Sequence, residues 1–304
     1  MPRARFRIKA PPPPADGPVI ERWPSRQATV GSSSVRRALP HPRRRLIGAW
    51  CFLDHFGPSP STGGGVGAHP HIGLQTVTWL LEGEMFHRDS TGSAQRISPG
   101  QLNWMTAGRG IAHAEQSTQP PGSTVHGVQL WVALPDAHRD TAPAFAHHPT
   151  LPTFPLGSGQ GTVLAGSLGG VTSPAETFSP LLGADLTLPG PRSHTLTLDP
   201  AFEHGAVALE GSLSVAGEHL APGTLLYLGR GRDALAVAGA PEGRMLLLGG
   251  APLGEPVRIW WNFIFRDPED VRDAVAAWNG RDTERFPDIP GHSGTRIDSP
   301  AWHG

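Results

Sequence analysis

Short apolar runs separated by Gly, Pro and Ser set the pattern of this chain. Residues 75–81 are rich in β-branched and aromatic side chains and predict a strand. Glu82-Gly83-Glu84 predicts a turn and residues 85–89 the returning strand. A second turn follows at residues 90–93, and residues 97–102 predict another strand. Gly108-Arg109-Gly110 predicts a kink. Many short strands of this kind point to an all-β sandwich or barrel. The far end breaks the pattern. Asp267 fits a helix N-cap, Pro268 the first helical position, and Glu269 and Asp270 suit the first turn. Val271, Val275 and Trp278 form an i, i+4, i+7 stripe, which Gly280 ends. The stripe reads as core packing, sealed by Trp260 and Trp261, rather than as a partner surface.

The pattern also repeats. Leu209-Glu210-Gly211 echoes Leu81-Glu82-Gly83, Ala221-Pro222-Gly223 echoes Ser98-Pro99-Gly100, and Gly229-Arg230-Gly231 echoes Gly108-Arg109-Gly110. Landmarks recurring in order predict two homologous β units. A chain of 304 residues can bury two cores, and 39 Gly and 33 Pro supply the turns they need. The expected division is a flexible, basic, Pro-rich start at residues 1–20, a first unit at 21–145 and a second at 156–290. Residues 143–155 are the expected linker, and Pro11 to Pro14 are expected to be extended.

The candidate chemistry lies in the first unit. His69-Pro70-His71 and His113-Ala114-Glu115 each place two donors on one face of a strand, because residues i and i+2 point the same way. If the two strands face each other, four ligands converge: three nitrogens and one oxygen. That set suits a borderline divalent metal such as iron and leaves coordination positions open. Most of the fifteen histidines should be ordinary. His41, His138, His147, His148, His292 and His303 are expected to face water. His55, His87 and His126 could line a pocket or simply pack. The second copy lacks the ligands: the matching positions are Thr197, Asp199 and Ala234, and neither His194, His204 nor His219 forms a His-x-His. One metal per chain is therefore expected.

These residues carry a resemblance. The run from Cys51 to Pro58, His69-Pro70-His71-Ile72-Gly73, Leu81-Glu82-Gly83, the run from Met105 to Glu115 and Gln129-Leu130-Trp131-Val132 resemble the pirin family. The likeness is dense from about residue 35 to 135 and weaker beyond. It implies a bicupin: tandem cupin jelly-roll barrels, all-β, with a short C-terminal helix and one metal site in the N-terminal barrel. It implies iron(II) on His69, His71, His113 and Glu115. Gln75 stands where the family often has Glu, which leaves the carboxylate role to Glu115. Some pirins act as quercetin 2,3-dioxygenases, so the resemblance implies opening of a flavonol or related enolisable aromatic by dioxygen, with release of carbon monoxide. Glu115 would then be ligand and catalytic base, with Phe52, Trp79 and Trp104 as candidates to flank the flat substrate. Other pirins are metal-dependent, redox-sensing interaction proteins and co-regulators. On that alternative the partner is a protein and there is no turnover. A sugar-phosphate isomerase is disfavoured, because only Arg88, Arg96 and Arg109 lie near the ligands.

Charge and cysteine content narrow the setting. Net charge is −1, but residues 1–50 hold eleven of the 25 basic residues and two of the 26 acidic ones. Such an arm could attract nucleic acid, yet no reading motif follows it, which argues against that partner. No apolar run approaches the roughly 20 residues that span a bilayer, and the start lacks the apolar stretch of a signal peptide. Cys51 is the single cysteine. These features together suggest a cytoplasmic protein.

Overall fold

The computed structural model describes residues 17–31 and 33–304. Two similar barrels fill it, each made of a seven-stranded and a four-stranded antiparallel sheet. In the first, the large sheet runs Ala144–His148, Leu102–Thr106, Leu74–Glu82, Thr124–Ala133, Trp50–Pro60, Ser33–Leu39, Arg26–Val30. Its small sheet runs Gly65–His71, Ile111–Ser117, Met85–Asp89, Ala94–Ile97. In the second, the large sheet runs Pro18–Pro24, Thr224–Gly229, Glu203–Glu210, Arg244–Gly250, Leu181–Thr187, Gly159–Ala165, Thr153–Leu156. The correspondence is strand for strand, as the repeat predicts. The Pro-Gly turns match as well: Gly100 has φ +82° and Gly223 φ +83°, values that a residue without Cβ adopts freely.

Alternation along the strands decides what each face covers. Val77, Trp79 and Trp104 point away from the first barrel and meet Val207, Leu225, Tyr227 and Leu246 of the second in one shared core. The large sheets thus pack back to back. Polar ties cross this seam. Trp50 Nε1 donates to Leu182 O at 2.9 Å, and Trp79 Nε1 to Asp185 Oδ2 at 2.8 Å. Glu203 accepts from Arg44 at 3.2 Å, Tyr227 at 2.7 Å and Gly48 N at 2.8 Å. The other faces differ between barrels. The second is packed with Leu182, Leu186, Leu196, Leu226 and Leu247. The first presents Gln129, His71, His113 and Glu115 to a cavity. One barrel is filled and the other is open.

Several boundaries depart from the sequence reading. Residues 97–102 are not one strand: Ala94–Ile97 and Leu102–Thr106 flank a turn, because Pro99 has no N–H and Gly100 takes a positive φ. The expected linker is mostly strand, since Ala144–His148 pairs with Leu102–Thr106 and Thr153–Leu156 with Gly159–Ala165. Residues 1–16 of the expected flexible start lie outside the described residues, and its last residues are strand. Pro18–Pro24 pairs with Thr224–Gly229 and covers what would be an open edge of the second barrel, with Trp23 stacked on Tyr227. Pro11 to Pro14 lie outside the described residues. The helix is Pro268–Asn279, capped as expected by Asp267, whose backbone N–H donates to Asp270 Oδ2 at 3.3 Å. Though it follows the second barrel in the chain, it packs on the first. Val271, Ala274 and Trp278 join Phe263 and Phe265 against Ala68, Ile72, Ala112 and Ala114. Among the described residues no helix is long and apolar enough to cross a membrane.

Candidate metal centre

Strands Gly65–His71 and Ile111–Ser117 pair antiparallel with His69 opposite His113 and His71 opposite Ile111. Three imidazoles therefore meet on one face, with ring centroids 4.3 to 5.0 Å apart. All three are buried. Each Nδ1 is tied back: His69 donates to Gly67 O at 2.8 Å and His71 to Asn262 O at 2.9 Å, while His113 Nδ1 lies 3.5 Å from His87 Nδ1. Burial pushes His69 down to about 4, and His71 and His113 well below the usual histidine range. The carbonyl partners of His69 and His71 put their protons on Nδ1 and leave their Nε2 lone pairs facing the cluster.

The fourth expected ligand stands beside the triad. A β-bulge separates His113 from Glu115 in the pairing with Gly65–His71. The extra residue lies on the Gly65–His71 strand, and Ile111–Ser117 keeps a regular register with Met85–Asp89. Glu115 lines the same cavity, buried, and its Oε1 accepts from the Thr78 hydroxyl at 3.1 Å. Burial raises its carboxyl above the usual value. Potential donors fall into two overlapping groups, each within 4.8 Å: His69, His71 and His113, and His87, His113 and Glu115. The histidines converge as read from the sequence. The carboxylate stands at the edge of the cluster, nearer to His113 and His87.

The donor set fits a divalent cation. Nε2 of His71 and Nε2 of His113 are 3.1 Å apart. His71 spends its only proton on Asn262 O, so a bare lone pair faces its neighbour. Two imidazoles on neighbouring positions of one ion, each at about 2.1 Å, would stand about 3.0 Å apart. The arrangement is the one a shared cation stabilises. Matching positions of the second barrel, Thr197 and Ala234, are also register partners but carry no ligand atoms.

The cavity above the histidines holds about 830 Å³, within the range of small-molecule sites. Phe52 and Trp131 stack at 4.0 Å on its wall, and Trp131 meets His71 edge-on. Arg37 lies 4.5 Å over Phe52 and forks onto Asp54 at 2.7 and 2.6 Å. Arg26 and Arg45 line the cavity as well. Of the three aromatic candidates, only Phe52 is here. Trp79 and Trp104 are buried in the seam core, because their side of the strand faces the other barrel. Trp131 was missed, although it is the register partner of Phe52.

The other candidate histidines sort clearly. His55 and His126 bond to each other at 2.8 Å, and His126 reaches Glu210 of the second barrel at 3.4 Å, away from the cavity. Gln75 donates to Thr106 and to Glu176 O. His41, expected to face water, is half-buried against Trp23. His204 is wholly buried and His194 half-buried, and neither belongs to a ligand group among the described residues. His87 stacks on Phe145 behind His113, and its Nε2 meets Asp89 Oδ2 at 2.8 Å. Burial pushes the Asp89 carboxyl up, but hydrogen bonds from His87, Thr91 and Ser93 outweigh it and hold the group low. His87-x-Asp89 has the same i, i+2 spacing as the ligand pairs, and that was the available signal. Asn262 carried none, since its backbone carbonyl does the work.

The family model described as Pirin matches residues 32–132, and that of the Pirin C-terminal cupin domain matches residues 183–284. A Pseudomonas aeruginosa protein, provisionally named quercetin 2,3-dioxygenase, is 49% identical over 93% of this chain and 90% of its own length. Human pirin is 31% identical over 83% of this chain and 88% of its own. The crystal structure of a quercetin 2,3-dioxygenase from Acinetobacter baumannii superposes with a TM-score of 0.90 at 41% identity, covering 93% of this chain and 96% of that one. The repeated barrels, the histidine cluster of the first and these likenesses lead to one conclusion: the chain belongs to the pirin family.

Proposed function

We propose that the protein is a metal-dependent dioxygenase that opens flavonols or related enolisable aromatics. The observation that carries this reading is the buried histidine triad at the foot of an open cavity of about 830 Å³. A metal held only for structure would normally be closed off by its ligands. His69, His71 and His113 would hold the ion through Nε2, with Glu115 completing the set. A bound divalent ion, iron(II) on this reading, would supply Lewis acidity and a meeting point for substrate and dioxygen. The protein does the rest. Phe52 and Trp131 give a flat ring a stacked wall. Arg26 and Arg45 give the cavity a basic lining suited to acidic phenols, while Arg37 is paired with Asp54. Glu115, raised by burial and held by the Thr78 hydroxyl, would take a hydroxyl proton from the substrate. Aligning the substrate on this surface lowers the entropic part of the barrier.

The test is an aerobic assay of iron-loaded protein with a flavonol. The expected result is loss of flavonol with matched uptake of dioxygen and release of carbon monoxide. No turnover on any flavonol, together with metal-dependent capture of a protein partner, would favour the interaction-protein alternative. Its support is that the pirin family also contains non-catalytic members by resemblance.

A further inference from the structure

Two of the three cluster histidines have their protonation pattern fixed outright. His69 and His71 each face a backbone carbonyl with Nδ1, and a carbonyl only accepts. Their protons must sit on Nδ1, which leaves Nε2 bare. His113 is different. Its Nδ1 faces a second imidazole nitrogen, His87 Nδ1, which can either accept or donate. What His113 presents to the site depends on His87, and what His87 does depends on the group behind it.

That group is Asp89, a fully buried carboxylate with a divided task. Its Oδ1 accepts from Thr91 N at 2.9 Å, Thr91 Oγ1 at 2.6 Å and Ser93 N at 3.1 Å, which locks the turn after the strand. Its Oδ2 faces His87 Nε2 at 2.8 Å. A carboxylate in this state only accepts, so a His87 with one ring proton carries it on Nε2 and offers Nδ1 as acceptor. His113 then donates from Nδ1 and turns a bare Nε2 toward that of His71, 3.1 Å away, a contact that a shared cation relieves. The register supports the chain: Asp89 is paired with His113, and His87 with Glu115.

We propose that Asp89 and His87 form an outer relay that sets the tautomer of His113 and so makes it a metal ligand. It rests on the metal site proposed above. His87 and Asp89 are positioning residues, acting through His113. Outer partners of this kind typically alter metal affinity by roughly 10–100-fold.

Asp89→Asn tests the relay with little steric change. Asn Oδ1 can keep the three turn hydrogen bonds, while its amide donates to His87 Nε2. The proton of His87 then moves to Nδ1, and His113 must carry its own on Nε2, inside the cluster. The probe is nickel(II), which is redox-inert, with affinity measured by chelator competition. The expected result is a roughly 10–100-fold weaker affinity, with the thermal midpoint of metal-free protein nearly unchanged. In His87→Phe, which keeps the stack on Phe145, Asp89→Asn should weaken affinity no further. Nitrogen-15 shifts of metal-free wild type should place the His113 proton on Nδ1 and, in Asp89→Asn, on Nε2. Equal nickel affinity in wild type and Asp89→Asn, additive losses in the double variant, or a wild-type His113 protonated on Nε2 would each overturn the relay. Wild type that takes up no nickel while showing the expected tautomers would sink the metal site and leave the relay standing.

Discussion

At the scale of single residues, the account turns on what each donor faces. The histidines were legible because i, i+2 spacing on a strand allows one outcome: both side chains on one side. Glu115 was legible as a type but not as a position. Its place at the edge of the cluster, with Thr78 donating to it, has no sequence signature. Parity explains the aromatic candidates. Trp79 and Thr78 are neighbours in sequence, and one enters the seam core while the other reaches Glu115. Glu115→Gln preserves size and one carbonyl oxygen but removes charge and basicity. At matched iron occupancy, single-turnover flavonol opening should slow at least roughly a hundredfold, the scale of a positioned proton transfer. Equal rates would remove Glu115 as the base.

At the scale of elements, the repeat was readable because turns demand particular residues. Pro99-Gly100 and Pro222-Gly223 mark the same corner in both barrels. The tail was half-readable. Its helix follows from caps and stripe, but the stripe does not say which barrel receives it. The chain crosses back to the first barrel, where Asn262 O holds His71 and the helix covers the strand that carries His69 and His71. Trp278 anchors this docking: it is buried, packs edge-on against Phe286, and donates from Nε1 to Ile297 O at 2.9 Å. Trp278→Ala should destabilise the protein by about 3–5 kcal/mol, the usual cost of emptying a buried Trp site. Chemical denaturation measures it. A loss under about 1 kcal/mol would mean that the tail is only loosely docked.

At the scale of the molecule, the two barrels divide the work. The second is filled with leucine and braces the first through a shared core. The first keeps its interior open for chemistry. The seam also carries a pH dependence. Burial, with the charge of Arg36 beside the pair, pushes His55 down to about 3, and burial with the charges of Arg244 and Arg36 pushes His126 down to about 4, from 6.5. The unfolded chain takes up these protons first as pH falls. Their stabilising contribution is therefore complete above 6.5 and is lost as pH falls from there toward about 4 and below. The thermal midpoint of metal-free protein should fall between pH 7 and 4.5, and a flat profile would contradict this. The central claim is a single metal site in the open barrel, and it is tested most directly by counting metal in iron-loaded wild type and in His113→Ala. The account predicts about one equivalent per chain in wild type and almost none in a variant that is still folded by circular dichroism. About two equivalents in wild type, or full retention in His113→Ala, would contradict it.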